Sequence, residues 1–243
     1  MIEAAALVPG QRVLDLAAGP GEVGFLAAAL IEPGGELICS DQSEAMLELA
    51  RARGAQLGLT NVSYRVLGGE WIDLELASID VVLCRWGYML MVDPGAALRE
   101  TRRVLRSGGL LSLAVWDAAE RNPWLAVPAA VLLEHGLGSA PQEGGAGTFA
   151  LGDEALLRSL LAEAGFTQIV VETVEVVRRA PDFDSWWATQ LDLSVSTLAA
   201  FEQADEAQTE AIEAELAGRL AAYTAADGSL AVPGRTLVAV AEA

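Results

Sequence analysis

The chain has 243 residues, 53% of them hydrophobic, and its 15 basic against 34 acidic side chains give a formal net charge of −19 and an isoelectric point near 4.3. Such a charge repels polyanions, which excludes nucleic acid and an anionic membrane surface as ready partners, and no nucleic-acid module is visible. No apolar run approaches the roughly 20 residues of a membrane span, and the two cysteines, Cys39 and Cys84, are spaced for neither a metal nor a disulfide framework.

The first predicted strand, Arg12 to Ala17, breaks at once into a glycine-rich turn that opens a helix, in the run Val13-Leu-Asp-Leu-Ala-Ala-Gly-Pro-Gly-Glu-Val-Gly24. Gly19 and Gly21 remove Cβ atoms that would hold a ligand off the backbone, and the helix start offers free N–H groups. With Gly24 they also satisfy the dinucleotide spacing G-x-G-x-x-G. Asp15 argues against that reading, because its carboxylate falls where an anionic pyrophosphate would lie. A ligand carrying a cationic amine and sulfonium and no phosphate, as S-adenosylmethionine does, would be attracted instead. The second predicted strand, Glu36 to Ser40, leads into Asp41, spaced so that its carboxylate can take both ribose hydroxyls.

On these residues the chain resembles the class I S-adenosylmethionine-dependent methyltransferases, whose first motif, D-x-x-x-G-x-G, is matched by Asp15, Gly19 and Gly21. The likeness continues in order through the first half of the chain. Gln42-Ser-Glu-Ala-Met46 looks like the exit of the family's second strand, with Ser43 as helix N-cap and Met46 against the adenine. After the third strand, Val62 to Val66, Gly68-Gly69-Glu70-Trp71-Ile72-Asp73-Leu74 resembles the loop usually written D-A-E-x-x-x-L. Gly68 stands where the family has the aspartate that holds the adenine amino group, which leaves backbone groups or Glu70 to serve. The fourth strand, Ile79 to Arg85, ends in Arg85-Trp86-Gly87-Tyr88, where an open α/β sheet gathers its ligands. A helical stretch, Leu98 to Leu105, is stopped by Ser107-Gly108-Gly109 ahead of a fifth strand, Leu110 to Trp116.

Beyond that half, Asp153 caps a helix that Gly165 stops, and strands are expected at Gln168 to Val177 and Arg235 to Ala241. The alternation implies an α/β fold, a Rossmann-like doubly wound sheet of seven strands. The resemblance implies that the last strand is antiparallel, between the fifth and sixth. We expect one methyltransferase domain over 1–243, with its core in 1–116, 151–180 and 235–243. Helical insertions at 117–150 and 181–234, after strand five and between strands six and seven, are where substrate choice should lie. The second reads as a lid. Only eleven residues precede Arg12, so this insertion or a partner subunit is expected to cover the cleft.

The resemblance implies S-adenosylmethionine as cofactor and S-adenosylhomocysteine as product, held by Asp15, Ala17, Gly19, Gly21, Asp41, Gln42, Met46, Gly69, Glu70, Trp71 and Arg85. Trp86, Tyr88, Trp124 and Trp186 are candidates for a small, apolar or aromatic acceptor. His135, the only histidine, and Tyr88 are candidates for a general base. Each has a structural reading beside it: His135 as a dipole partner at a helix end, the aromatics as core packing, and the acids from Glu202 to Glu215 as a solvated helix face. No metal is expected, and a homodimer is a candidate assembly. The absence of a signal peptide points to the cytoplasm, with both thiols reduced. The competing readings are a cofactor-binding protein of this fold that catalyses something else or nothing, and a nicotinamide-dependent oxidoreductase.

Overall fold

The computed structural model describes residues 1–138 and 144–243; the part of the first expected insertion that falls on 139–143 lies outside the described residues. The described residues form a seven-stranded sheet of order β3-β2-β1-β4-β5-β7-β6. Its strands are β1 (Arg12–Leu16), β2 (Glu36–Asp41), β3 (Val62–Val66), β4 (Ile79–Arg85), β5 (Leu105–Trp116), β6 (Thr167–Ala180) and β7 (Leu230–Glu242). The pairs β1/β2, β1/β4, β2/β3 and β4/β5 are parallel. Strand β7 runs against β5: Gly108 N–H donates to Ala243 O and Ala243 N–H to Gly109 O, while Asp117 N–H reaches Arg235 O. The expected doubly wound sheet with a reversed last strand is therefore present. Its strand order reverses between β1 and β4, which sets a crevice at their carboxyl ends.

The chain resolves into two compact units. The first, residues 1–116, 144–173 and 237–243, holds helices α1 (Glu22–Leu30), α2 (Glu44–Gln56), α3 (Pro94–Val104) and α5 (Glu154–Glu163). Its central strands are apolar almost throughout because both faces are covered, and Val13, Leu37, Val81 and Leu83 close on Val23, Phe25, Ala27 and Leu47 of the helices. Ser43 caps α2 and Asp153 caps α5, as expected. Cys39 and Cys84 lie in this core, where burial pushes both thiols up to about 12.

The start of β5 differs from the expectation. Ser107-Gly108-Gly109 is not a helix stop ahead of a strand but part of β5, which begins at Leu105. Ile79 pairs with Leu105 and Val81 already with Leu110, so one residue of β4 faces a four-residue bulge. A side chain on Gly109 would lie 2.9 Å from the carbonyl oxygens of both Arg106 and Asp80, so no larger residue fits the bulge as built. Propensity alone cannot separate this bulge from a C-cap, since glycine serves both.

The second unit, residues 117–143 and 174–236, holds α4 (Pro123–Glu134), α6 (Phe183–Leu193), α7 (Val195–Phe201) and α8 (Glu206–Leu220). Asn122 is fully buried and ties its chain segments together: its amide donates to the carbonyls of Asp117 and Arg235, both at 2.9 Å, and its oxygen accepts from Arg235 N–H at 2.9 Å. The acidic tract forms α8, opened by a capping box of Asp205 and Gln208; Ile212, Leu216 and Leu220 face inward and most of its acids outward. No helix among the described residues is long and apolar enough to cross a membrane.

Candidate active site

A cleft of about 270 Å³ opens in the first unit at the switch point, lined by Leu16, Ala17 and Gly19 at the end of β1 and in the turn after it, Asp41 and Gln42 at the end of β2, Leu67, Gly69 and Glu70 after β3, and Trp86 to Val92 after β4, Tyr88 and Met89 excepted. This lies near the lower end of small-molecule site volumes, ~300–1,000 Å³. Two of its lining residues, Ala17 at φ 55° and Trp86 at φ 61°, occupy the left-handed region that non-glycine residues avoid. Holding each there costs on the order of 1–3 kcal/mol, and such residues gather at functional sites.

Asp41 laces the cleft together. Its Oδ2 accepts the Gly19 N–H and its Oδ1 the Ser43 N–H, both at 2.9 Å, which joins the turn after β1 to the start of α2. A carboxylate has about four acceptor sites, so two remain for ligand hydroxyls. Glu70 makes a second tie by accepting from the N–H of Val92 at 2.9 Å and of Asp93 at 3.4 Å. It anchors the loop after β4 from the cleft wall.

Asp15 stands elsewhere than the sequence suggests. It is 1% exposed and is not among the lining residues; its Oδ2 accepts the Gly24 N–H at 2.8 Å behind the turn. Gly24 must be glycine for this contact, since a Cβ there would stand 2.6 Å from that oxygen. Burial pushes the carboxyl up to about 7, with Asp41 adding to the rise, while the Gly24 N–H and Arg85 oppose it. Asp15 is thus a brace for the turn, and the carboxylates that line the cleft are those of Asp41 and Glu70.

Other candidates also separate from the cleft. Gly21, at φ 81°, is the N-cap of α1 and covers the Phe25 ring. Met46 sits on α2 outside the lining, where Leu67 and Met91 supply the apolar surface expected of it. Trp71 is 77% exposed and turned to solvent. Arg85 pairs with Glu22 of α1 and lies over the Trp86 ring at 4.4 Å, and Trp86 in turn stacks on Trp116 at 4.2 Å. Glu22 and Trp116 carry no motif, so only the fold shows that they support Trp86.

Tyr88 is fully buried, its hydroxyl bonded to Thr101 Oγ1 at 2.5 Å, and burial holds the phenol well above its usual range. It cannot serve as a base or touch an acceptor from there. Tyr88→Phe is expected to cost about 1 kcal/mol in urea unfolding and to leave S-adenosylhomocysteine affinity within twofold of wild type; a loss of affinity would restore Tyr88 to the site. His135, Trp124 and Trp186 belong to the second unit. His135 ends α4 and its Nε2 meets Glu215 at 2.9 Å, the helix-end role, and neither tryptophan presents an open face: Trp124 is 3% exposed beneath the Arg178 guanidinium and Trp186 is 1% exposed. Among the described residues no group of His, Cys, Asp and Glu could hold a metal.

A crevice at the switch point of a doubly wound sheet, with a carboxylate laced between the first two strand exits, defines a nucleoside-binding α/β protein. Residues 7–135 match the family model described as a methyltransferase domain, and the chain belongs to that family, as a class I S-adenosylmethionine-dependent methyltransferase. The ubiquinone/menaquinone biosynthesis C-methyltransferase UbiE of Shewanella frigidimarina is 34% identical over 111 residues, 45% of this chain and 44% of that protein. The chain thus matches less than half the length of this curated relative. Among solved structures, the YcgJ protein of Bacillus subtilis shares the fold at a TM-score of 0.63, with 18% identity, covering 100% of this chain and 95% of that one. A putative methyltransferase from Bacillus halodurans does so at 0.63 and 21% identity, covering 99% and 96%.

The cleft fits that cofactor. The Cβ position of Gly19 opens onto empty space in the cleft wall, so a ligand can approach the turn backbone, and Asp41 keeps acceptor capacity for a ribose diol. Leu16, Leu67 and Met91 offer apolar surface to a purine.

Proposed function

We propose that the protein transfers the methyl group of S-adenosylmethionine to a carbon of a small, neutral, aromatic or apolar acceptor. Asp41 is the observation that carries this reading: one buried-edge carboxylate holds two strand exits and still faces the cleft. The cofactor supplies an electrophilic methyl on sulfonium. Asp41 and the Gly19 turn would hold its ribose, Leu67 and Met91 its base, and Trp86, fixed by Arg85 and Trp116, would border the side from which the acceptor approaches.

A carbon acceptor agrees with the lining. Asp41 and Glu70 are its only ionisable side chains among the described residues, and both are bonded to backbone N–H groups. A site whose two carboxylates are both engaged by backbone N–H groups suits an acceptor that is already nucleophilic, such as an electron-rich ring, so positioning and water exclusion do the work. The named activity of the UbiE relative, methylation of carbon in quinone biosynthesis, points the same way. The net charge of −19 disfavours anionic acceptors.

Incubation with methyl-labelled S-adenosylmethionine and a panel of hydroquinones, phenols and amines tests the proposal. Label is expected in an organic-extractable C-methyl product, with an equal amount of S-adenosylhomocysteine. Binding of the cofactor with no transfer above background to any member would favour the non-catalytic reading, and label on oxygen or nitrogen would overturn the carbon assignment.

A further inference from the structure

Helix α6 carries a feature that packing alone does not explain. Trp186, Trp187 and Gln190 are 1%, 4% and 4% exposed, and the indole Nε1 of both tryptophans and the carboxamide Nε2 of Gln190 are buried with no hydrogen-bond partner. Buried N–H groups are rarely left unpaired, because water pairs them in the unfolded chain. Here three occur within five residues of one helix. Trp186 and Gln190 are four apart and share a face, with Trp187 beside them.

Their surroundings are aromatic. Phe183 and Trp187 flank Trp186 with ring centroids 6.3 and 6.4 Å away, and Phe201 of α7 meets Trp187 edge-on at 5.1 Å. Aromatic walls with a few unpaired polar groups are the makeup of a small-molecule site. We infer that α6 is a ligand-recognition element of the second unit, pairing the N–H groups of Trp186, Trp187 and Gln190 with the lone pairs of a planar, neutral carbonyl compound. This binding does not depend on the methyltransferase reading.

The chemistry of the ligand follows from the donors. An indole N–H donates and never accepts, so the matching groups are lone-pair acceptors, of which a carbonyl oxygen offers two lone pairs to neighbouring donors. They belong to a neutral molecule rather than a carboxylate, because Asp182, Asp184 and Asp192 lie at the cap and along the same helix. A planar ring fits between aromatic faces as an aliphatic chain does not. Because the donors are enclosed, the ligand must enter by parting α6 from its neighbours.

Calorimetry without cofactor tests this with 2-acetylnaphthalene and its hydrocarbon counterpart 2-isopropenylnaphthalene, in which a methylene group replaces the acceptor oxygen. The ketone is expected to bind at least tenfold more tightly. Gln190→Met keeps the side-chain length and Trp187→Phe keeps an aromatic ring, each removes one donor, and each is expected to cut that preference about fivefold. Gln190→Met is also expected to hold or raise the melting temperature, since it removes an unpaired donor. Equal binding of the two probes overturns the inference, as does an unchanged preference in both variants. A melting temperature lowered by several degrees in Gln190→Met would show a paired amide and overturn it too. S-adenosylhomocysteine titrated into the same samples separates the two claims: ketone binding without cofactor binding would sink the methyltransferase reading alone, and the reverse would sink this inference alone.

Discussion

Asp15→Asn is expected to stabilise the protein at pH 8 by several kcal/mol more than at pH 4. The carboxyl of Asp15 titrates at about 7 in the fold and near 3.9 in an unfolded chain. Below pH 4 both states hold the proton, and the residue is neutral in its effect. Between pH 4 and 7 the unfolded chain has released the proton while the fold retains it, so stability falls as pH rises through this window. Above pH 7 the full cost of a buried anion is present, on the order of 4 kcal/mol. Asparagine cannot ionise, yet its oxygen can still accept the Gly24 N–H that now binds Asp15. The difference in unfolding free energy between variant and wild type should therefore grow from pH 4 to pH 8, as measured by urea denaturation at each pH. A difference independent of pH would place the Asp15 carboxylate in a solvated setting and contradict the brace described above.

Asp41→Ala is expected to have the largest effect on the site. It removes the acceptor of two N–H groups, those of Gly19 and Ser43, and with them the tie between the first turn and α2. Hydrogen bonds to a charged group are worth about 1.5–3 kcal/mol each. Losing the ribose partner in addition should weaken S-adenosylhomocysteine binding by about 100-fold or more. Asp41→Asn keeps one acceptor oxygen but turns an N–H₂ toward an N–H, and should fall between wild type and the alanine variant. Competitive displacement of labelled cofactor gives the three affinities; equal values would remove Asp41 from the site.

Much of this was legible in the sequence, and the reasons differ by element. The strands β1, β2 and β4 are short apolar runs bounded by charged or glycine residues, and burial on both faces writes that pattern strongly. The turn from Asp15 to Gly24 is local, so its spacing announces it. What spacing does not carry is the direction of a side chain. Asp15 and Asp41 both end strands beside the turn, but Asp15 points back into the protein and Asp41 forward into the cleft, a choice made by the helix start that Gly24 brings within 2.8 Å. Likewise Tyr88 reads as part of a polar, aromatic strand end, and only the turn at Gly87 sends it inward to Thr101 while Trp86 stays at the cleft. The supports of Trp86 come from α1 and β5, distant in the chain, and long-range contacts of this kind leave no periodic trace. His135 illustrates the opposite case: its place at a helix end was readable, and the partner it found there is Glu215, 80 residues on.

The most direct test of the account is isothermal titration of the wild-type chain and the Asp41→Ala variant with S-adenosylhomocysteine, with NAD as the control ligand. The account predicts one-to-one uptake by the wild type, uptake at least about 100-fold weaker by the variant, and none of NAD. No uptake by the folded wild-type protein, or equal uptake by both proteins, would contradict it.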